Sequence, residues 1–436
     1  MGVNSSELFI PFLGAIQAAI SVLLTIFYGV LTAQFNLLST NAAKEVSRTC
    51  VRMFLPALLI YKVGSELQQD TFMRYIPILI WALVYNLISI AIGITATRLL
   101  KLPSWSTPAL AFNNTTSLPL LLIQSLKTAG ILDAIIPDGD STESAVSRAE
   151  SYFLINAMVS NSLTFALGPR LLRPSEEDAP DDADKEEEED DSDTDQNGEE
   201  VSRTEGELIN EETSLLPNHH VRMANRASRK AYTRGNKRWE SLPPWAQQTL
   251  DMLYSFLNGP LIGAVVGAII GLVPALHRLF FNSSDEGGYL NAWLTSSIKN
   301  IGDLFASLQI IVVGVKLSLS LRKMKRGEAS GEMSWLAVSF ITLVRFIIWP
   351  LISIPLIWAF ASRTHVLNAD PILWFCMMLM PTGPPAMLLV ALADVNGNAE
   401  SEKMAIAKFL TISYAITPLI CFAVVGSLKA TEAAMG

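Results

Sequence analysis

Two short clusters of polar and helix-breaking residues interrupt long apolar runs in this chain of 436 residues. The first is FNNTTSLPLLL, within the charge-free run 102–126, and the second is MPTGPPAMLL, within the charge-free run 371–393. Amides and hydroxyls are neutral hydrogen-bond donors and acceptors, a set that can hold a small organic anion without a permanent counter-charge. The candidate substrate-binding residues are therefore Asn113, Asn114, Thr115, Ser117, Thr382 and Gly383.

Prolines in the same clusters predict that both helices break. Proline lacks an N–H and its ring clashes with the carbonyl four residues back, so the helix-break residues are Pro119, Pro381, Pro384 and Pro385. Gly383 is expected to remove side-chain bulk at the second break. The half-helix N-termini created by the breaks carry partial positive charge and free N–H groups, which suit a carboxylate. Alternatively, the polar side chains only satisfy backbone groups freed by the prolines, or hold helices together.

Ionisable residues inside apolar segments are functional candidates by default. Arg345 lies near the middle of one such segment and Asp303 within another, so both are candidates for an intramembrane charge role. The alternative for Arg345 is a structural ion pair or a contact with carbonyls beside Pro350. Lys62 and Lys316 lie near segment ends, where long side chains snorkel to the headgroups.

The apolar segments that must position these residues predict an all-α polytopic membrane protein. Half of the chain is hydrophobic, 17% is charged and the mean hydropathy is +0.35, which is too apolar for an ordinary soluble protein. A membrane-spanning helix needs about 20 apolar residues. Charge-free runs that approach or exceed this length are 8–43, 75–97, 102–126, 151–169, 252–277, 371–393 and 409–428, while 333–362 is interrupted by Arg345.

The segments fall into two groups of five that follow the same order. The second member of each group is weak (around 43–65 and 297–320), and the fourth contains one of the two polar clusters. An odd number of helices per repeat makes the second copy enter the membrane upside down. We therefore predict ten transmembrane helices as two inverted five-helix repeats, 1–172 and 246–436, with broken helices 4 and 9 crossing at the midplane.

A hydrophilic loop, 173–245, separates the two repeats. It contains 20 acidic and 2 basic residues between Glu176 and Glu212, followed by seven basic and no acidic residues from Arg222 to Arg238. Blocks of like charge with few aromatic residues predict a largely disordered segment. Lys and Arg are more frequent in the short connections on the side of this loop, so the positive-inside rule predicts a cytosolic loop and lumenal or extracellular termini.

These motifs resemble the auxin efflux carrier family, which comprises the plant PIN and PIN-LIKES carriers and, most similar to this chain, the fungal PIN-like membrane proteins. PIN-LIKES proteins have an N-x-x-N-x-P type signature in the fourth helix, and Asn114, Ser117 and Pro119 occupy those positions, with serine replacing the second asparagine. The proline-rich break from Pro381 to Pro385 matches the ninth helix. LNGPLIGAVVGAIIGLVP is similar to the sixth helix of the family and VRFIIWPL to the eighth.

The resemblance covers roughly 9–172 and 245–430 and implies a secondary carrier. It implies that helices 4 and 9 cross at the substrate site. It also implies that a scaffold domain and a transport domain move past each other in an elevator-like step, carrying an indole carboxylate or a similar anion. PIN-LIKES relatives reside in the endoplasmic reticulum, so that membrane is the expected location.

Two other classes of function stay open. A cation/proton antiporter of related fold would require acidic residues at the crossing, and none occurs from Asn113 to Pro119 or from Pro381 to Pro385. A non-transporting membrane receptor or scaffold would act through the loop. An enzyme is not expected, because HExxH and GxSxG motifs are absent. We expect no cofactor, metal ion or nucleic-acid partner; the partners are a small organic anion and the lipid bilayer, and a homodimer is compatible with the sequence.

Overall fold

A computed structural model describes residues 5–68, 72–137, 139–172, 250, 258–326, 333–364, 367, 369–395 and 400–435. The predicted loop 173–245 lies outside these residues, as does most of the chain between it and Asn258. The regular elements of the described part are helices. The prediction of an all-α fold is therefore confirmed for that part of the chain.

The described residues of the first half form seven α-helices. They are α1 (Ser5–Gln34), α2 (Thr40–Thr49), α3 (Leu55–Glu66), α4 (Ile76–Leu99), α5 (Ser106–Ala111), α6 (Ser117–Thr128) and α7 (Thr142–Leu171). The helices described in the second half are α8 (Gly259–Leu272), α9 (Pro274–Phe281), α10 (Ser296–Lys325), α11 (Trp335–Leu343), α12 (Trp349–Arg363), α13 (Pro371–Leu379), α14 (Leu388–Val395), α15 (Glu400–Ala415) and α16 (Ile420–Met435).

Several of these helices are long and apolar enough to span a membrane. Among the described residues the test is met by Phe12–Gln34, Ile76–Leu99, Asn291–Leu319, Trp335–Arg363 and Thr417–Met435. The pair α8 and α9 meets it together. The prediction of a polytopic membrane protein is therefore confirmed, and the other predicted spans consist of shorter helices.

Two of the predicted spans are not continuous helices. The run 252–277 was predicted to be one span, but α8 and α9 meet at an angle of 101°, because Pro274 has no N–H with which to continue α8. The run 409–428 is divided between α15 and α16 by the short 3-10 turn Thr417–Leu419, which contains Pro418. Conversely, the segment 297–320, predicted to be weak, lies within the continuous helix α10.

Two helical spans contain a π-helical turn just before a proline. Cys50–Phe54 joins α2 to α3 and precedes Pro56, and Val344–Ile348 joins α11 to α12 and precedes Pro350. A proline ring clashes with the carbonyl four residues before it, and a wider turn relieves that clash without ending the helix. Arg345 lies in the second of these turns, inside the candidate span Trp335–Arg363.

The described helices pack together as one compact unit, in which we distinguish two groups. We call α1, α2, α3, α8, α9 and α10 the frame, in which α3 packs along α8 and α1 along α10. We call α4–α7 and α11–α16 the crossing bundle, in which α13 packs against α7, α12 and α16. Both predicted helix breaks, between α5 and α6 and between α13 and α14, belong to the crossing bundle.

Glycines bring the backbones of the frame into direct contact. A Cβ atom on Gly29 in α1 would lie 2.1 Å from the carbonyl oxygen of Ile311, and one on Gly314 in α10 would lie 2.0 Å from that of Ile26. Real Cβ atoms do not approach so closely, so these positions require glycine. Small residues that let backbones approach are typical of tight helix pairs in membranes, and α1 and α10 form such a pair.

Gly314→Ala is therefore expected to destabilise the protein by about 1–3 kcal/mol, the usual cost of overpacking. Gly426→Ala in α16 is the matched control, because its Cβ would meet only the flexible end of Ile354, at 3.1 Å. Both changes gain the same helix propensity of about 1 kcal/mol. The check is the thermal unfolding midpoint in detergent, and equal midpoints for the two variants would contradict the close approach.

Candidate functional site

The two predicted breaks meet and pair through their backbones. Asn113 and Pro385 form an antiparallel bridge, in which the Asn114 N–H donates to the Pro384 carbonyl at 2.9 Å and the Ala386 N–H donates to the Phe112 carbonyl at 3.0 Å. Backbone groups without a partner are costly in hydrocarbon, and each unwound stretch supplies partners for the other. The prediction that the two broken helices cross is confirmed by this bridge.

The C-terminal end of α13 is fully capped. Every backbone carbonyl from Met377 to Thr382 accepts a hydrogen bond from a described group, as a helix end buried away from water requires. The donors, in the order of the carbonyls, are Trp81 Nε1, Ser353 Oγ, Thr382 N, Asn113 Nδ2, Arg345 Nη1 and again Asn113 Nδ2. The donors come from both halves of the sequence, so neither half completes this helix end alone.

Arg345 joins the C-terminal ends of both first half-helices. Its side chain is fully buried, and it donates to the Leu110 carbonyl in α5 at 2.5 Å and to the Pro381 carbonyl beyond α13 at 3.2 Å. A cation is favoured at a helix C-terminus, where the dipole leaves partial negative charge. The expected contact with carbonyls is therefore present, but the carbonyls belong to the two broken helices and not to the surroundings of Pro350.

Asn113 and Gly383 support the backbone conformation of the crossing. The Asn113 amide donates to the Met380 and Thr382 carbonyls at 3.0 and 3.3 Å, and its Oδ1 has no partner among the described residues. Gly383 has a φ of +129°, and a Cβ placed there would meet nothing within 4 Å. The expectation that Gly383 removes bulk was wrong: it is needed for a backbone angle that L-residues avoid.

Asn114 and Ser117 form a small polar network with Tyr414 of α15. The Asn114 amide donates to the Tyr414 hydroxyl at 2.8 Å and lies 3.4 Å from the Ser117 hydroxyl. The Tyr414 hydroxyl in turn donates to the Pro385 carbonyl at 3.4 Å. Tyr414 is fully buried. No local pattern in the sequence points to Tyr414, because its partner Asn114 lies 300 residues away in the chain.

The prolines lie where a helix starts or has already ended. Pro119 is the third residue of α6, a position where the missing N–H would have no helical partner anyway. Pro381, Pro384 and Pro385 lie in the unwound stretch between α13 and α14. The breaks therefore precede Pro119 and contain the other three prolines, and both second half-helices present their N-termini to the space beside the crossing.

The far end of α13 is anchored by an ionic network. Asp370 caps α13 by accepting from the Ile372 N–H at 3.1 Å, and it also accepts from the Tyr152 hydroxyl at 2.6 Å. Arg148 lies 2.5 Å from Asp140 and 3.6 Å from Asp370. The hydrogen bond from Arg148 lowers the pKa of the Asp140 carboxyl below its ordinary value. The N-terminal end of α13 is thus held by side chains of α7, and its C-terminal end by the donors named above, so both ends of this half-helix are fixed.

A cavity of about 90 Å³ lies beside the crossing, between the frame and the crossing bundle. It has room for several waters. The crossing contributes the consecutive polar residues Asn113–Ser117 and the stretch Ala386–Leu388. The other lining residues are Ser47, Val51, Leu55, Asn161, Phe165, Phe305, Gln309, Val313 and Lys316.

The structure places the predicted site residues in two sets. Asn113, Asn114, Thr115 and Ser117 line the cavity, whereas Thr382 and Gly383 belong to the crossing but are not among the lining residues. Asp303 is exposed on α10, away from the cavity. Lys316 lines the cavity, whereas its position near a segment end suggested that its side chain extends to the lipid headgroups. Helical spacing could have indicated that Lys316 lines the cavity. Four residues of one face of α10 line it together: Phe305, Gln309, Val313 and Lys316.

Comparison with known proteins finds similarity to membrane transporters over most of the chain. The sequence model of the family described as membrane transport protein, which includes the auxin efflux carriers and PIN-like proteins, matches residues 15–423. The chain is also similar to a protein of Schizosaccharomyces pombe described as an uncharacterized transporter. The two are 25% identical over 448 residues, which cover 96% of each chain. Both similarities extend across the two helix breaks and the frame.

Arg345→Met is expected to lower stability, because the buried carbonyls of Leu110 and Pro381 lose this donor at about 1–3 kcal/mol each. The matched control is Arg363→Met, since Arg363 is exposed at the end of α12, where its guanidinium stacks on Trp358. Thermal unfolding followed by tryptophan fluorescence in detergent should give a clearly lower midpoint for Arg345→Met alone. A midpoint equal to that of the unmodified chain would mean that Arg345 does not hold the two helix ends.

Proposed function

The chain belongs to the membrane transport protein family, and from this premise we propose that it is a secondary carrier of small organic anions. The observation that carries this proposal is the cavity beside the crossing. The N-termini of α6 and α14 border the cavity, and Asn113–Ser117 form one wall of it. Helix N-termini favour a carboxylate over a cation, and hydroxyl groups can donate hydrogen bonds to that carboxylate.

An indole carboxylate or a similar anion is the substrate class that we propose. Phe165 and Phe305 line the cavity from α7 and α10, and aromatic side chains offer faces and edges against which an aromatic ring packs. The polar wall of the crossing would hold the carboxylate while these side chains hold the ring. By contrast, a cation/proton antiporter is not favoured, since the described lining residues include no carboxylate.

We further propose that transport proceeds by an elevator-type movement of the crossing bundle along the frame. The close glycine contacts between α1 and α10 support a rigid frame, and the hydrogen bonds of the crossing support a rigid bundle. An ion pair joins the two groups: Lys62 of α3 lies 2.6 Å from Glu150 of α7, and both side chains are largely buried. A displacement of one group past the other would have to break this pair.

The proposed orientation follows the positive-inside rule. Ser47 and Lys316 line the cavity, and both lie toward helix ends that the charge distribution assigns to the cytosol. The described conformation would then have its cavity on the cytosolic side. An endoplasmic reticulum membrane, lumenal termini and a homodimer are parts of the same proposal that rest on the family resemblance or on the charge pattern.

Uptake into proteoliposomes tests the carrier function. We expect the purified chain to accumulate labelled indole-3-acetate or another member of a panel of organic anions, measured with and without a pH gradient. A chain with 176–238 deleted should still transport, whereas a receptor or scaffold that acts through the loop should lose its function. If no anion moves with the full chain, the carrier proposal is wrong.

Asn114→Ala is expected to reduce uptake by about tenfold or more, because one buried hydrogen-bonded network with Ser117 and Tyr414 is lost at the cavity wall. The matched control is Asn41→Ala, since Asn41 is exposed on α2. Uptake by Asn114→Ala at the rate of the unmodified chain would remove Asn114 from the site.

Reversible cross-linking tests the elevator movement. We expect a Lys62→Cys/Glu150→Cys pair, in a background with Cys50, Cys376 and Cys421 replaced by Ala, to stop transporting after treatment with a bifunctional thiol reagent and to recover on reduction. The control pair is Gln34→Cys/Ser318→Cys, two positions within the frame whose side chains lie 3.2 Å apart. Continued uptake by the cross-linked first pair would show that the two groups need not move past each other.

A further inference from the structure

We propose that Asn282, in the turn between α9 and α10, is the acceptor of an N-linked glycan on the lumenal or extracellular side of the membrane. Asn282 begins the triplet Asn-Ser-Ser, residues 282–284, which fits the N-x-[ST] acceptor pattern. The inference rests on the membrane orientation proposed above and does not depend on the carrier function.

The modification is a transfer of an oligosaccharide to the side-chain amide of Asn282. The co-substrate is an oligosaccharide carried on a lipid diphosphate. The amide nitrogen Nδ2 forms a bond to the anomeric carbon of the first sugar, while the bond from that carbon to the diphosphate oxygen breaks. The lipid diphosphate is the leaving group and takes the proton that Nδ2 loses, so the transfer needs no oxidant or reductant.

Burial separates Asn282 from other matches to the acceptor pattern. Asn113 and Asn114 also begin such triplets, Asn-Asn-Thr and Asn-Thr-Thr. They are only 4% and 7% exposed at the crossing, where a glycan has no room. A further match begins at Asn4, which lies outside the described residues. Within the described part of the chain, Asn282 is therefore the match that lies in a surface turn.

The backbone of this triplet is held in a defined turn by other residues. The Asn282 carbonyl accepts from Nδ2 of Asn291 at 2.9 Å, and the Gly288 N–H donates to the Ser283 carbonyl at 2.9 Å. A Cβ atom on Gly288 would collide with the Asn282 carbonyl oxygen, so the turn requires glycine there. The shape of the turn therefore depends on backbone contacts and not on the side chain of Asn282.

The side chain of Asn282 is available for modification. Its Nδ2 donates one printed-length hydrogen bond of 3.3 Å to Oε2 of the exposed Glu286. The next four residues, 283–286, are polar and all exposed, and such a polar run is unfavourable in hydrocarbon, so the turn lies in water. A glycan on Nδ2 would replace one surface contact and would disturb no buried one.

Helix packing places Asn282 on the membrane face opposite the hydrophilic loop 173–245. The chain enters this loop after α7, which ends at Leu171. Asn258, the N-cap of α8, lies 3.3 Å from Ser162 in the last third of α7, so α8 begins near the face at which α7 ends. From there α8 packs along α3, and Asn282 follows at the far end, after α9.

The basic residues around α10 assign that opposite face to the lumen or the exterior. The connection 273–295, which leads into α10, contains one Lys or Arg, namely Arg278, together with Asp285 and Glu286. The other end of α10 contains four basic residues within 322–326. Because short cytosolic connections are enriched in Lys and Arg, the C-terminal end of α10 is cytosolic and Asn282 faces the compartment in which N-glycans are added.

Digestion with an N-glycosidase tests the acceptor in the full chain, produced in a eukaryotic cell with the substitution Asn4→Gln. We expect the chain to migrate faster on a gel after digestion. Asn282→Gln and Ser284→Ala should migrate like the digested chain without treatment, whereas Ser284→Thr keeps the hydroxyl and should keep the glycan. Unchanged migration of the Asn4→Gln chain on digestion would overturn the inference.

Leu37→Asn provides a matched control on the other face. Leu37 is 75% exposed in the turn after α1, and the substitution creates the triplet Asn-Leu-Ser at 37–39. Gln34, at the end of α1, lies 3.2 Å from Ser318 near the C-terminal end of α10, so this turn and Asn282 lie at opposite ends of the frame. Leu37→Asn combined with Asn282→Gln should stay unglycosylated. A glycan on it would reverse the orientation and overturn the inference.

Uptake measurements separate this inference from the carrier function. Asn282 is not among the described residues that line the cavity, so Asn282→Gln should transport at the rate of the unmodified chain. A glycan on Asn282 in a chain that moves no anion would support this inference and contradict the carrier function. Uptake by a chain that carries no glycan at Asn282 would contradict this inference alone.

Discussion

The structure depends on one constraint, that a backbone carbonyl or N–H in hydrocarbon must have a partner. A helix that breaks inside a membrane exposes such groups at both new ends. Here the two breaks satisfy each other through the Asn113–Pro385 bridge, and side chains from α4, α12 and the π-helical turn before α12 complete the end of α13. Because each break supplies partners for the other, the crossing is a single unit, and the helices around it are held in the arrangement that this unit requires.

The same constraint divides the crossing into two electrostatic sides. The C-terminal ends of α5 and α13, which are partially negative, meet at Arg345 and are neutralised inside the protein. The N-terminal ends of α6 and α14 border the cavity instead. A buried cation on one side thus leaves the positive ends of the helices to dominate the other. This separation explains how a cavity wall of uncharged residues can favour an anion.

The sequence predicted the two helix breaks, but it did not predict which side chains hydrogen-bond to the residues at those breaks. Prolines and clustered amides predict a broken helix because their effect on the backbone is limited to residues close to them in the chain. Tyr414 interacts with Asn114 across 300 residues, and Trp81 with Met377 across 296, and no local pattern records such a pairing. The place of Lys316 in the cavity lining was not predicted for a related reason, since its distance from a helix end does not specify which residues surround it. The bend before Pro274 and the backbone angle of Gly383 depend on geometry that composition does not specify.

The location of Arg345 has an electrical consequence. It is buried in the crossing bundle, so in the proposed movement its positive charge travels with the site. Glu150 of α7 belongs to the same bundle, and the proposed movement separates it from Lys62 of the frame, so a buried carboxylate travels together with Arg345. The loaded and the empty bundle would then differ by the charge of the bound anion. A potential of 100 mV acts on one elementary charge with about 2.3 kcal/mol if the whole field is crossed, so membrane voltage would act differently on the loaded and the empty carrier.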